Sequence, residues 1–287
     1  MADSENIIAI SDMTKRFGRK VILSGISLDI NRGDSIAFVG RNGYGKSTLL
    51  KIIAGLLPFE KGTVTHHGKL KFSYVPERFP ALNISVKEYF MRIGAVSGLD
   101  IKTAEKRSSE LAEALFMKDM LDIPIPHLSK GTIQKVAVVQ AFLTIPDVLL
   151  LDEPVSGQDM SSQKVFMEMV NRLNREHRVT VLCASHEEYM IKAIADTVYE
   201  IEGGKLHRVP QSEKLEISSL CRLLFVKKTH DDTLTIPQSV YDGSIKSEVL
   251  ENHEVAVYCT PLASNEVIRE MLQNDFELRG LNNERIF

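Results

Sequence analysis

With 287 residues, 44% of them hydrophobic and 25% charged, the chain can bury one large core, alone or with a smaller appendage. A net charge of -3, from 35 basic and 38 acidic residues, leaves no electrostatic footprint for nucleic acid. No stretch reaches the roughly 18 uninterrupted apolar residues of a membrane span, and the opening MADSENIIAI lacks the basic start and apolar core of a secretory signal. Cys183, Cys221 and Cys259 have no metal-type spacing, so reduced thiols in a soluble cytosolic protein are expected.

In chain order, residues 7–75 carry short alternating runs around a strand at residues 35–39. That strand leads into Gly40, Arg41, Asn42, Gly43, Tyr44, Gly45, Lys46, Ser47 and Thr48. The spacing of Gly40, Gly45, Lys46 and Ser47 is that of a phosphate-binding loop, the Walker A motif. Glycine lets the backbone turn its N–H groups toward one anion. Lys46 can reach terminal phosphates, and the Ser47 hydroxyl can join a magnesium shell. Leu49, Ile52, Ile53, Leu56 and Leu57 then recur at helical spacing, predicting a helix from Lys46 that aims its positive end at the phosphates.

Residues 64–75, with Gly62 and Gly68 nearby, suggest antiparallel strands, and His66-His67 reads as a solvated turn. From about 80 to 140 the pattern is helical, with a charged face at residues 102–107. The apolar run 148–151 fits a parallel strand buried on both faces. Val165, Phe166, Met169, Val170 and Leu173 keep helical periodicity, and strands are predicted at residues 179–184 and 197–201 before a Gly203-Gly204 turn. Alternating strands and helices argue for a parallel sheet in an α/β fold. After about His207 the composition shifts to a linker-like VPQSEK. Residues 221–287 read as a small α/β appendage, with strands at 255–259 and 276–278 and a helix at 265–272.

A phosphate loop needs a second magnesium contact and a group to orient the attacking water. The strand ending in Asp152-Glu153 supplies two carboxylates that diverge on an extended backbone. Asp152 is expected at the metal and Glu153 as general base. No Asn-Lys-x-Asp base-reading motif follows, which counts against a GTPase.

Leu128-Ser129-Lys130-Gly131-Thr132, just ahead of a helical run at 133–143, resembles the signature motif of ATP-binding cassette (ABC) proteins. The other motifs then fall in family order over residues 7–209. The resemblance implies that Phe17 stacks on adenine, that Ser156 to Asp159 form the D-loop, and that His186 is the switch histidine on the γ-phosphate or attacking water. It implies a P-loop ATPase core at residues 1–209, with an antiparallel β subdomain and a helical subdomain at about 80–140, which leaves residues 210–287 as the appendage. It implies Mg2+ beside ATP, with Ser47, Asp152 and Glu77 around the metal. Two cassettes would pair head to tail, Ser129, Gly131 and Asp159 of one copy completing the site that Lys46 forms in the other.

The sequence departs from the family pattern in four places. Glu77 stands where a glutamine is usual, Lys130 and Thr132 replace a glycine and a glutamine, and Gln158 replaces a leucine. Lys130 is expected to add a cation near the partner's phosphates. The signature form looks most like bacterial multidrug or antimicrobial-peptide efflux cassettes. The implied function is the ATP-hydrolysing subunit of an exporter, peripheral on the inner face of the membrane. It would drive a separate integral membrane permease docked around Glu77 and residues 86–92, without nucleic acid. The rivals are a soluble ABC ATPase acting on ribosomes or DNA and a nucleotide-dependent regulatory sensor.

Overall fold

Apolar residues at nearly every second position of β1 (Asn6–Phe17) and β2 (Lys20–Asn31) give each strand one face for the core. The two pair antiparallel, and β4 (Lys61–His66) joins the other edge of β1 to complete a three-stranded sheet. The computed structural model describes residues 5–80, 82–210, 219–227, 236, 246–250, 254–259 and 261–285. The chain divides into two compact units, Met1–Gln211 and Ser212–Phe287.

In the first unit a six-stranded sheet runs in the order β5-β6-β7-β3-β8-β9. Here β3 is Ser35–Val39, β5 Phe72–Val75, β6 Val148–Asp152, β7 Thr180–Ala184, β8 Thr197–Glu202 and β9 Lys205–Val209. All pairings are parallel except the β8–β9 hairpin. Every residue of β3, β6 and β7 is buried, as parallel strands covered on both faces must be. The two-residue period sorts them cleanly. Leu149, Leu151, Val181 and Cys183 pack with Phe90, Phe142 and Phe166 of the helices, whereas Leu150 and Leu182 pack with Phe38, Leu49 and the β1–β2 side chains.

Helices α1 (Lys46–Ile53), α2 (Val86–Val96), α3 (Ile101–Ala114), α4 (Lys130–Phe142), α5 (Met160–His177) and α6 (Glu188–Ile194) complete this unit. The side chains of Ser85, Asp100, Ser129 and Asp159 cap α2 to α5.

Four readings are corrected. Helix α1 stops at Ile53, because Gly55 turns left-handed (φ 70), so Leu56 and Leu57 lie beyond it and Leu56 is 63% exposed. Strand β5 is parallel to β6 rather than antiparallel to β4; its Tyr74 and Val75 lie beside Leu150 and Leu151. His66 is not in a solvated turn: it ends β4, its Nε2 lies 2.8 Å from the Ile53 carbonyl, and its ring packs against Phe72. Strand order continues through Val209, past the expected start of the linker, and the segment from residue 211 to 218 lies outside the described residues.

Among its described residues the second unit is a four-stranded antiparallel sheet, β11-β12-β10-β13, with a helix packed on it. Its strands are β10 (Ser219–Lys227), β11 (Lys246–Val249), β12 (Glu254–Cys259) and β13 (Phe276–Arg285), with α7 at Pro261–Gln273. Leu223, Phe225, Val255 and Val257 meet Val267 and Met271 of α7. The expected strand at 276–278 is longer than its apolar residues indicated, because β13 pairs with β10 along its whole length.

Candidate functional site

Buried β3 delivers the chain into the phosphate loop, where two glycines are sterically required. A Cβ on Gly40 (φ 136) would lie 2.6 Å from the Ile201 carbonyl oxygen, and one on Gly45 (φ 101) 2.8 Å from Ile22 Cγ2. Gly45 stands at the N-cap of α1, and no side chain caps that helix. Its first-turn N–H groups and positive dipole end are thus presented to an anion. Lys46 is only 7% exposed; its Nζ donates to the carbonyls of Gly40 at 2.7 Å and Arg41 at 3.3 Å, which fixes the ammonium inside the loop.

At the end of β6 the two carboxylates diverge as expected. Asp152 is 1% exposed and accepts from Ser47 Oγ on Oδ1 (2.7 Å) and from the Tyr74 hydroxyl on Oδ2 (2.7 Å). Burial pushes the Asp152 carboxyl up, while Ser47 and Tyr74 pull it down. Glu153 turns the other way, on a left-handed backbone (φ 48) tied by its N–H to the Ala184 carbonyl at 2.9 Å. Its Oε2 lies 2.8 Å from His186 Nδ1 and accepts from Ser185 Oγ at 3.4 Å. That contact with Glu153 raises the pKa of His186 against the opposing effect of burial.

Lys46, Ser47, Glu153 and His186 line one cleft of about 520 Å³. It gathers Phe17, Asn42, Gly43, Gly45, Lys46, Ser47, Thr48, Glu77, Glu153 and His186 from among the expected residues, and adds Ile22 and Ser156. Phe17 is 52% exposed, with Lys15 Nζ 5.1 Å from its ring centroid. Arg41 offers a carbonyl to Lys46, Asp152 sits behind Ser47, and Tyr44 packs against the core.

Ser129, Gly131 and Asp159 do not line the cleft. Ser129 caps α4, accepting from the Thr132 N–H at 3.2 Å. Gly131 is pressed against the D-loop, where an added Cβ would sit 2.0 Å from the Gly157 carbonyl oxygen. Asp159 caps α5 through Ser162 and accepts from Lys135 Nζ at 2.8 Å. Lys135, helped by Ser162, holds the Asp159 carboxyl well below the usual range. Lys130 donates to Ser156 Oγ at 3.1 Å within the same chain. Gln158 fills a buried position suited to leucine, its Nε2 on the Pro154 carbonyl at 2.8 Å and its Oε1 buried without a hydrogen-bond partner.

Sequence reasoning missed three supporting groups. They are the Tyr74 hydroxyl; Ser185; and buried Gln134, whose Nε2 donates to the carbonyls of Pro76 at 3.1 Å and Glu153 at 3.5 Å. A glutamine on the apolar face of α4 was the available signal for the last.

The family profile described as "ABC transporter" matches residues 23–156. The zinc import ATP-binding protein ZnuC of Photorhabdus laumondii is 32% identical over 195 residues, covering 67% of this chain and 73% of that protein. The ABC transporter ATP-binding protein NatA of Bacillus subtilis is 31% identical over 216 residues, covering 70% and 87%. Among solved structures, an ATP-binding subunit of an ABC transporter superposes with a TM-score of 0.66 at 24% identity, covering 72% of this chain and 91% of that one. A dimeric post-hydrolysis cassette bound to ADP and Pi gives 0.65 at 21% identity, covering 70% and 97%. The structural likenesses carry the fold, and the sequence relatives, spanned over most of their length, carry the lineage. This chain is an ATP-binding, ATP-hydrolysing member of the ABC transporter family.

Proposed function

We propose that two copies of the chain pair head to tail around two magnesium-ATP molecules and drive a separate integral membrane permease. The observation that carries this reading is the convergence of Lys46, the Ser47–Asp152 pair and the Glu153–His186 pair on one cleft. Lys46 and the loop amides neutralise the terminal phosphates, and Phe17 offers its ring to the base. Ser47, Asp152 and Glu77 present only oxygen donors, a hard set that fits magnesium. Magnesium bound there supplies charge neutralisation across the phosphates.

Glu153 takes a proton from water as its oxygen attacks the γ-phosphorus, the bond to the bridging oxygen breaks, and ADP leaves with Pi. His186, held by Glu153, turns its ring toward the γ-phosphate. Ser129 and the Gly131 N–H of the second copy close over the same nucleotide, with Asp159 at the seam.

Among the described residues no helix is long and apolar enough to cross a membrane. We place the spanning segments in the permease, docked around Glu77 and residues 86–92, with this subunit on the inner face of the membrane. Export is the direction favoured by the signature form. Import is the second reading, favoured by the name of the Photorhabdus relative; transport assays in oriented vesicles separate the two.

The test is Glu153→Gln. It should retain ATP, cut turnover by about 10²–10⁴-fold, and convert to a dimer under saturating magnesium-ATP. A variant that stays monomeric with the permease present, as read by light scattering, overturns the paired-cassette reading.

A further inference from the structure

We propose that Tyr74 is a positioning residue for the Asp152 carboxylate, turning a single oxygen toward the metal and so favouring magnesium over calcium. The proposal rests on the reading in which Ser47 and Asp152 share the metal. In the β5–β6 register Tyr74 lies opposite Leu150, so Asp152, two residues further on, shares its face of the sheet. The phenol donates to Oδ2 at 2.7 Å while Ser47 Oγ donates to Oδ1 at 2.7 Å. Two hydroxyls arriving on different oxygens fix the carboxylate plane, and at 1% exposure solvent barely competes for either oxygen.

Tyr74 is itself held. Strand β5 is at the sheet edge, but Gln140 Nε2 of α4 donates to the Tyr74 carbonyl at 2.7 Å, and the Tyr89 hydroxyl of α2 donates to Gln140 Oε1 at 3.1 Å.

The two cations ask different things of a carboxylate. Magnesium demands near-octahedral geometry at about 2.0–2.1 Å, whereas calcium accepts one or both oxygens at about 2.3–2.6 Å. With Oδ2 engaged by Tyr74, Oδ1 is the oxygen left on the Ser47 side, and Asp152 would meet the metal shell through that one oxygen. Without the phenol hydroxyl the carboxylate can rotate and offer both oxygens, an arrangement that suits calcium. Hydrogen bonds to ligating groups are typically worth about 10–100-fold in metal affinity.

The experiment titrates Mg2+ and Ca2+ against binding of a fluorescent ATP analogue to the full chain. It compares wild type, Tyr74→Phe and Ser47→Ala, with thermal melts and the Mg2+ dependence of turnover alongside. Tyr74→Phe should raise the half-saturating Mg2+ concentration by about tenfold or more, shift Ca2+ much less, and leave metal-free nucleotide binding little changed. Gln140→Met, which frees the Tyr74 backbone, should move Mg2+ in the same direction by less. An unchanged Mg2+ titration in Tyr74→Phe beside a shifted one in Ser47→Ala overturns the inference alone. Equal weakening of both cations also overturns it, because general loosening explains that result. No metal dependence in wild type or Ser47→Ala removes the magnesium reading and this inference with it.

Discussion

Around the cleft, side chains from β1, the phosphate loop, the end of β6 and the segment after β7 all face one volume. Along the edge made by Ser129, Gly131 and Asp159, the polar groups instead hold the chain to itself, through two helix caps, the Lys135–Asp159 pair and the Gly131–Gly157 approach. The difference teaches how labour is divided within one cassette. One region gathers ionisable chemistry that a nucleotide can use directly. The other is held by its own chain, and in the proposed pairing it acquires work only when a second copy lies against it.

The sharpest way to break this comparison is to disable each region separately. Lys46→Ala should weaken ATP binding about 10–100-fold at every protein concentration, the equivalent of a lost charged hydrogen bond of about 1.5–3 kcal/mol. Ser129→Ala should leave the ATP affinity of the dilute chain unchanged and lower only the turnover of the concentrated one. Nucleotide titration and phosphate release measure both, and matching losses of dilute-chain affinity would erase the distinction. Next in size is Gly131→Ala. Its Cβ meets the Gly157 oxygen at 2.0 Å, so α4 or the D-loop must shift, at a cost of about 1–3 kcal/mol read from urea denaturation. An unaltered midpoint would mean that the edge is softer than its packing indicates.

The smallest effect lies inside the cleft. His186 should titrate above its ordinary 6.5 because Glu153 stabilises the imidazolium, and Glu153→Gln should bring it back toward that value in an NMR titration. The sign follows from linkage. The stabilisation from this pair is fully present below about pH 6.5, the unfolded value, and fades as pH rises through the higher folded value. A His186 that titrates identically with and without Glu153 would remove the pairing.

How legible the molecule was depended on the distance over which each contact is specified. The phosphate loop, the buried strand before Asp152 and the signature segment at Ser129 are written within a few neighbouring residues, and the sequence reads them directly. The β5 pairing is not local. Its residues alternate as an antiparallel strand would, and only β6, more than 70 residues later, makes the strand parallel and brings Tyr74 to Asp152. The same holds for Gln134, which touches two strand ends that converge only in the folded sheet. The end of α1 was missed for a local reason, since apolar spacing at Leu56 and Leu57 outweighed the breaker at Gly55. Gln158 was opaque because its type signals a surface while its site is interior.

Glu153 carries its carboxylate on a left-handed backbone, a conformation that most side chains avoid and that costs of order 1 kcal/mol or more. That backbone is restrained by the Ala184 carbonyl, which accepts from the Glu153 N–H, and by Gln134, which donates to the Glu153 carbonyl. Selection for robustness alone would drift this position toward glycine, and under the proposed function that sturdier scaffold would grip nucleotide without turning it over. On that proposal, an acidic residue at this costly position is what separates an engine from a latch.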